Sequence, residues 1–578
     1  MEKPWLKHYE VQVPKTVDIP ALTIADVFDT AVRSNPRSLA YLFFSRRFSY
    51  ADFNQLVSRF TAVLARLGVK KGDRVAIILP NLPQYPIVHF AVMKIGAIAV
   101  PTNPLYVERE LEYQLNNSGA EVAIVLDLLY KRLEAVRRNT RLRAVIYTSV
   151  RDYLPFLLRL LYPLKAKREG SWVTIPKQPG TYQFVDLMKR AAQNNFPPTS
   201  QVDLKPEDIG IFLYTGGTTG VSKGAVLTHR NLVANIVQLR AWFPQAREGK
   251  ETIMGVLPFF HSYGMTSCMH MGVFLRSAVV LVPRFDLNLV LKSIDKFKAT
   301  IFHGVPTMYV GINNHPETPK YNLKHVRACI SGGAALPIEV AKKFEQLTGG
   351  RLVEGYGLSE TSPVTHCNPL FGKRREGSIG LPMPNTEAMI VDPETRQPLP
   401  PGEIGELAIR GPQVMQGYWQ MQNETNKVLR EGWLFTGDMA RMDEDGYFYI
   451  VDRKKDMIIA GGFNIYPREV EEVLYKHPKI KEAAVIGVQD PYRGETVKAF
   501  VVLREGETAT EEEIVAYCKH ELARFKMPKL IEFRKELPKS MIGKVLRRVL
   551  MEEEKVKADG KASLSQPASV EITASVTS

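Results

Sequence analysis

A chain of 578 residues exceeds what one hydrophobic core usually supports, so two or more domains are expected. The 45% apolar and 24% charged composition is ordinary for a soluble globular protein, and 76 Lys+Arg against 61 Asp+Glu leave a net +15 that favours anionic partners. No Cys/His metal spacing and no nucleic-acid motif is visible, which sets nucleic acid aside; the first residues lack the apolar stretch of a signal peptide, and no uncharged run is long enough to cross a membrane. Cys268, Cys329, Cys367 and Cys518 are scattered without a CxxC pair, which points to reduced thiols and a cytoplasmic location.

The first third of the chain reads as helices alternating with strands. Thr23 and Asp26 are spaced as a capping box, after which Ile24, Val27, Phe28 and Ala31 recur on one helical face. Ser49 and Asp52 repeat the signal before Phe53, Leu56, Phe60, Leu64 and Leu67, with Gly68 as a C-cap. Residues 74–79, 97–100 and 121–126 read as strands, and 108–116 as a helix. This βαβ rhythm predicts an α/β fold with a mainly parallel sheet. Residues 153–164 (YLPFLLRLLYPL) break the rhythm. They are apolar but too short for a span, and Pro155 and Pro163 interrupt any long helix. Lys165, Lys167 and Arg168 follow. Two readings stand: an insertion packed on the domain surface, or a membrane-docking segment over 153–168 with apolar side chains and cations.

A short strand at 209–213 then runs into YTGGTTGVSKGA. Glycine lets backbone N–H groups turn toward one point without Cβ interference, and such a nest binds phosphate. Thr215, Thr218, Thr219 and Ser222 add hydroxyl donors, and Lys223 adds charge. Taken alone, the loop is equally compatible with a mobile surface connection. It is not a Walker A loop, because Ser222 precedes Lys223 and Gly224 follows it. Further on, Gly332 and Gly333, and then Tyr356 to Glu360, mark two more strand-to-glycine transitions, places where backbone approaches something closely. By themselves His261 reads as a partly buried histidine and Glu360 as a solvated carboxylate.

From 392 to 450, short alternating strands and tight turns predict a small β-subdomain. A charged linker at 452–456 separates residues 1–451 from an α+β domain at 457–552, in which Pro467 and Thr510 open helices, the second running to Phe525. Apolar residues thin out over 553–578, which reads as a disordered tail.

The glycine loop, the GYGLSE turn, Thr436 to Asp438, Asp452 with Arg453, and Pro538 to Lys544 occur in one order along most of the chain. Together they resemble the adenylate-forming (AMP-binding) superfamily, and the wording is most similar to bacterial long-chain fatty-acid–CoA ligases. The resemblance implies a large N-terminal AMP-binding domain with a mobile C-terminal lid, and three small molecules: ATP, Mg²⁺ and coenzyme A. A carboxylate is a poor acyl donor, so it first attacks the α-phosphorus of ATP, giving acyl-AMP and pyrophosphate; the coenzyme A thiol then displaces AMP. Both reactants of the first step are anionic, so cations must offset their repulsion.

Residue by residue, the resemblance puts Thr215, Gly216, Gly217, Thr218, Thr219, Gly220 and Lys223 on the β- and γ-phosphates, and Thr215 and Glu360 on Mg²⁺. Tyr356 stacks on adenine, Gly332, Gly333 and Gly357 let the nucleotide approach, Ser359 touches the α-phosphate, and Asp438 and Arg453 hold the ribose. Lys544 bridges carboxylate and α-phosphate, Lys455 is the hinge, and Gly461 and Gly462 line the coenzyme A channel. His261, Tyr263 and Met265 fall at the acyl pocket, Met265 standing where some long-chain relatives carry a gating tryptophan. An aryl- or medium-chain acyl-CoA ligase, and an acyl-AMP ligase that loads a carrier protein, remain alternatives. A non-catalytic lipid binder has no need of Lys544, Glu360, Asp438 and Arg453 together. The expected location is the cytoplasm and, through 153–168, the inner face of the membrane. The sequence leaves chain length and oligomeric state open, a homodimer included.

Overall fold

The computed structural model describes residues 3–193, 202–215, 222–460, 463–490, 493–539 and 545–564. They divide into two compact units: residues up to 436 together with 440–450, and residues 437–439 together with those from 451 onward.

The first unit is built on an eight-stranded sheet. Its order is Gly417–Tyr418, Lys223–Thr228, Ile209–Thr215, Ile98–Pro101, Arg74–Ile78, Val122–Leu126, Ala144–Thr148 and Thr181–Gln183. The six strands from Ile209–Thr215 onward are parallel, as the βαβ rhythm predicts, and the central ones are continuous apolar runs buried on both faces. The first two strands in that order are antiparallel additions at the edge beside the glycine loop. Both capping boxes form, with Asp26 N–H donating to Thr23 Oγ1 at 3.1 Å and Asp52 N–H to Ser49 Oγ at 3.1 Å. Gly68 takes the left-handed φ of +76° that a helix C-terminus needs there. Thr252–Gly255, Ala278–Leu281, Leu39–Phe43 and Arg46–Ser49 form a second sheet, and Ala328–Ser331, Arg351–Gly357, Val364–Cys367 and Leu381–Pro382 a third. The expected β-subdomain is a further sheet of Glu387–Val391, Gly405–Arg410, Trp433–Met442 and Leu429–Arg430, with Phe448–Arg453 paired to Trp433–Met442.

The sequence breaks any long helix at Pro155 and Pro163; the structure corrects this. Pro155 is the residue before the helix Phe156–Arg168, and Pro163 lies within it. A proline inside a helix leaves the carbonyl four residues earlier without its N–H partner. That carbonyl belongs to Arg159, and it accepts instead from Arg151 Nε at 3.2 Å.

The second unit carries a five-stranded sheet: Phe463–Ile465, Ile458–Ala460, Gly494–Leu503 and Ile480–Asp490, with Leu530–Phe533 paired to Gly494–Leu503. Helices Pro467–Lys476 and Glu511–Glu521 cover a core that includes Ile458, Ile465, Val470, Leu474, Val485, Val497 and Ile514. The second of these helices stops at Glu521, short of the Phe525 expected from sequence. Asp452 and Arg453, placed in the linker by their charge, close the strand Phe448–Arg453. The last helix, Arg547–Leu564, passes the start of the expected tail at 553. Three of its charges there are paired: Glu553 with Arg534 at 2.6 Å, Glu554 with Lys498 at 2.7 Å and Lys557 with Glu532 at 3.0 Å. These contacts come from distant strands, so composition alone does not reveal them.

Candidate active site

The strands Ile209–Thr215 and Lys223–Thr228 pair in register, Thr215 opposite Lys223, and so hold the two ends of the glycine loop side by side. Ser222 Oγ donates to the Thr215 carbonyl at 2.5 Å. Gly216, Gly217, Thr218, Thr219 and Gly220 lie outside the described residues. Lys223 Nζ pairs with Glu424 and sits 5.3 Å from the centre of the Tyr418 ring. Hydrogen bonds from Lys223 and then Lys427 hold the Glu424 carboxyl down at about 2. The Tyr418 hydroxyl donates to Glu360 Oε1 at 2.8 Å, and burial, then the Glu360 charge, pushes that phenol above its ordinary range.

Tyr418 is fixed at this spot by backbone. The strand Gly417–Tyr418 pairs with Lys223–Thr228, Trp419 N–H donates to the Gly224 carbonyl at 2.8 Å, and Tyr418 N–H donates to Thr425 Oγ1 at 2.9 Å. Met415 N–H reaches the Glu360 carbonyl at 2.8 Å. One segment, 415–425, thus ties the loop exit to Glu360. Tyr418 and Glu424 were not singled out from sequence. No pattern in the sequence announces the acid; the structure supplies it, meeting the charge of a lysine only 16% exposed.

Glu360 and Ser359 lie in the one-turn helix Ser359–Thr361 that follows the strand Arg351–Gly357. Gly357 is required by packing, since a Cβ there would stand 2.0 Å from the Pro363 carbonyl oxygen. Tyr356 is half-buried, with its ring edge-on to His366 at 5.9 Å. Gly333 has a left-handed φ of +80°. For Gly332 the structure supplies a neighbour other than a nucleotide: a Cβ would meet the Tyr263 ring at 2.9 Å. Tyr263 is buried against it and donates its hydroxyl to the Ile330 carbonyl at 2.7 Å. His261 Nδ1 accepts from Tyr263 N–H at 3.3 Å, so it caps the turn Ser262–Gly264. Met265 is fully buried at the start of the π-helical stretch Met265–His270.

In the second unit, Asp438 and Arg453 face each other, Oδ1 to Nε at 3.3 Å, and Lys454 N–H donates to the Gly437 carbonyl at 2.9 Å. Lys455 lies 3.7 Å from Asp456; burial lowers its ammonium pKa, with Asp456 opposing. Gly461, Gly462 and Lys544 are outside the described residues, whereas Ala460 and Phe463 on either side of the glycines pair in register. Arg547, also missed from sequence, contacts Asp452 at 3.1 Å, Asp456 at 3.4 Å and Glu471 at 2.6 Å. Burial works against its charge, but the three carboxylates outweigh it and hold the guanidinium above its usual range.

Chemically, the first unit offers a lysine, a carboxylate and hydroxyls converging beside a glycine loop. Donors of these kinds are the ones that phosphate oxygens and a hard cation take. Residues 28–419 match the family model described as AMP-binding enzyme, and residues 469–544 the one described as AMP-binding enzyme C-terminal domain. The chain is 48% identical to a long-chain-fatty-acid–CoA ligase of Bacillus subtilis, over 96% of this chain and 98% of that one. It is 39% identical to a protein of the same name from Escherichia coli, over 97% and 100%. Among solved structures, ATP-bound MatB from Rhodopseudomonas palustris superposes with a TM-score of 0.80 at 30% identity, covering 92% of this chain and 99% of that one. The anthranilate CoA ligase AuaEII in complex with anthranoyl-AMP gives a TM-score of 0.80 at 26% identity, covering 94% and 99%.

Proposed function

The chain belongs to the AMP-binding enzymes, and from that premise we propose that it joins a long-chain fatty acid to coenzyme A through an acyl-AMP. A fatty carboxylate oxygen attacks the α-phosphorus of ATP, and the bond to the pyrophosphate oxygen breaks. The coenzyme A sulfur then attacks the acyl carbonyl, and the bond to AMP breaks. The observation that carries the reading is the gathering of Thr215, Lys223 and Glu360 at one loop mouth, with Tyr418 and Glu424 ordering them. The names of relatives alike over nearly the whole chain supply the substrate class.

Lys223 offers its ammonium to the terminal phosphates, exchanging Glu424 for them. Thr215 and Glu360 provide oxygen donors of the kind Mg²⁺ takes, and that ion when bound neutralises phosphate charge. Tyr418 orients the Glu360 carboxylate through its hydrogen bond. Asp438 and Arg453 are assigned to the ribose, Ser359 to the α-phosphate and Tyr356 to the adenine. Lys544 is assigned to the charge that develops as the carboxylate attacks, Lys455 to the hinge, and Gly461 and Gly462 to the thiol's approach. His261, Tyr263 and Met265 are assigned to the acyl side. The protein is assigned to the cytoplasm; among the described residues no helix is long and apolar enough to cross a membrane.

Product analysis across saturated acids from octanoate to stearate tests this reading. It requires AMP and acyl-CoA in equal amounts, with turnover highest for the long acids. ADP as product would remove the adenylate route. A preference for benzoate would move the enzyme to the aryl ligases, and acyl-AMP that coenzyme A does not consume would make it a carrier-protein loader.

A further inference from the structure

The helix Phe156–Arg168 turns its apolar side chains outward. Phe156, Leu157, Leu160, Leu161 and Leu164 are 78%, 70%, 63%, 57% and 70% exposed, whereas Tyr153 and Leu154 immediately before them are buried. At about 100° per residue these five fill one continuous arc of about 140°. Ala166, on the other side of the helix, is buried.

The chain entering this helix is anchored to the rest of the unit, and the buried Ala166 seats the helix's other face. At its entry, the Tyr153 ring packs edge-on to Phe48 and Phe184, with the Arg46 guanidinium 5.2 Å above it. At its exit the helix closes on itself, Ser171 N–H donating to the Ala166 carbonyl at 2.8 Å. A contiguous exposed apolar patch on a fixed element marks a contact surface.

Charge identifies the partner. Arg159, Lys165, Lys167 and Arg168 stand on the helix; the acids near them are Glu169, 3.8 Å from Lys165, and Asp152, whose charge Arg159 and Arg151 both favour. Lys167 lies 5.7 Å from the ring of the half-exposed Trp172. A second copy docked face to face would bring these cations against their own kind. An anionic bilayer answers the leucines, the aromatic and the cations together. We propose that the helix Phe156–Arg168 is a reversible docking surface for a lipid bilayer with anionic headgroups, lying in the headgroup plane. The proposal rests on the fatty-acid reading for its purpose, because long-chain acids partition into bilayers and the enzyme would meet its substrate there.

The test uses the full chain without substrate, pelleted with phosphatidylcholine vesicles that contain or lack phosphatidylglycerol. The wild type should pellet with the anionic vesicles and leave them as salt rises. Replacing Phe156, Leu157, Leu160 and Leu161 together by Ser should weaken the partition about tenfold or more, with ATP–pyrophosphate exchange on soluble octanoate unchanged. The triple variant Lys165→Glu, Lys167→Glu, Arg168→Glu should lose the preference for anionic vesicles, and it decides the matter should the serine variant not fold. A serine variant that pellets like wild type, or a wild type that stays in solution with both vesicle types, overturns the proposal. So does a lipid-free wild-type dimer that the serine variant converts to monomer, which would assign the helix to self-association. Loss of exchange with every fatty acid, with vesicle binding intact, would instead strike the proposed reaction.

Discussion

Two cations are held by carboxylates, one in each unit, and the number and burial of those carboxylates make them different devices. Lys223 meets Glu424 at the loop mouth, where the two side chains are 16% and 30% exposed. Arg547, itself 19% exposed, is gripped by Asp452, Asp456 and Glu471, which are 3%, 16% and 12% exposed. The first is one contact to a single point charge, within reach of solvent, and an incoming phosphate can replace it. The second is a planar fork between three acids, and removing the cation would strand them. One half-buried acid on a lysine is exchangeable; three more deeply buried acids on an arginine are a rivet.

The largest effect should come from breaking the rivet. Arg547→Met leaves buried carboxylates uncompensated and should cost about 3–5 kcal/mol, read as a lower urea midpoint for the second unit. A loss below about 1 kcal/mol would make the two sites alike. Next comes Lys223→Ala, which should leave the urea midpoint nearly unchanged yet slow acyl-AMP formation by about a hundredfold or more, as loss of a charge contact in the transition state does. Equal slowing of thioester formation from supplied acyl-AMP would take Lys223 off the phosphates.

A third prediction separates the units by pH. In the first unit burial pushes His366 down to about 3, burial and then His229 push His270 there, and burial and then His270 lower its neighbour His89. The unfolded chain protonates its histidines near 6.5, whereas the folded one refuses those protons. Their contribution is therefore complete above pH 6.5 and is lost as pH falls toward 3, with a slope of up to about 1.4 kcal/mol per pH unit for each histidine. His270→Gln keeps a hydrogen-bonding group facing His89 and should flatten the slope of the first unit's urea midpoint between pH 6.5 and 4.5. An unchanged slope would show that His270 takes up its proton without unfolding.

The smallest effect is at the exchangeable contact. Glu424→Gln keeps a polar partner but drops the charge, so stability should change by less than about 1 kcal/mol. ATP should bind about threefold tighter, because the competent, unpaired Lys223 is more populated. Weaker binding by titration calorimetry would mean that Glu424 aims the ammonium instead of competing for it.

What could be read from the sequence was local. The capping boxes at Thr23 and Ser49, the parallel strands and the exit of the loop at Lys223 are written within a few neighbouring residues. Tyr418 lies 58 residues from Glu360, and Glu424 lies 201 from Lys223, so no spacing announces either pair. The helix through Pro163 was hidden for a different reason: the Arg159 carbonyl is satisfied by a side chain, Arg151 eight residues earlier, and no backbone pattern announces that bond. Gly332 carried a correct signal of close approach, but the body approaching it in this structure is the ring of Tyr263. Glycine says that a side chain would not fit there; it does not say what takes the room.

The central claim is that the loop mouth formed by Thr215, Lys223 and Glu360 activates a fatty acid with ATP. Exchange of labelled pyrophosphate into ATP measures that step alone, before coenzyme A takes part. Exchange should require a fatty acid, run faster with palmitate than with benzoate, proceed without coenzyme A, and fall to background in Lys223→Ala. No exchange with any carboxylic acid, or exchange that the Lys223→Ala variant sustains at the wild-type rate, would contradict it.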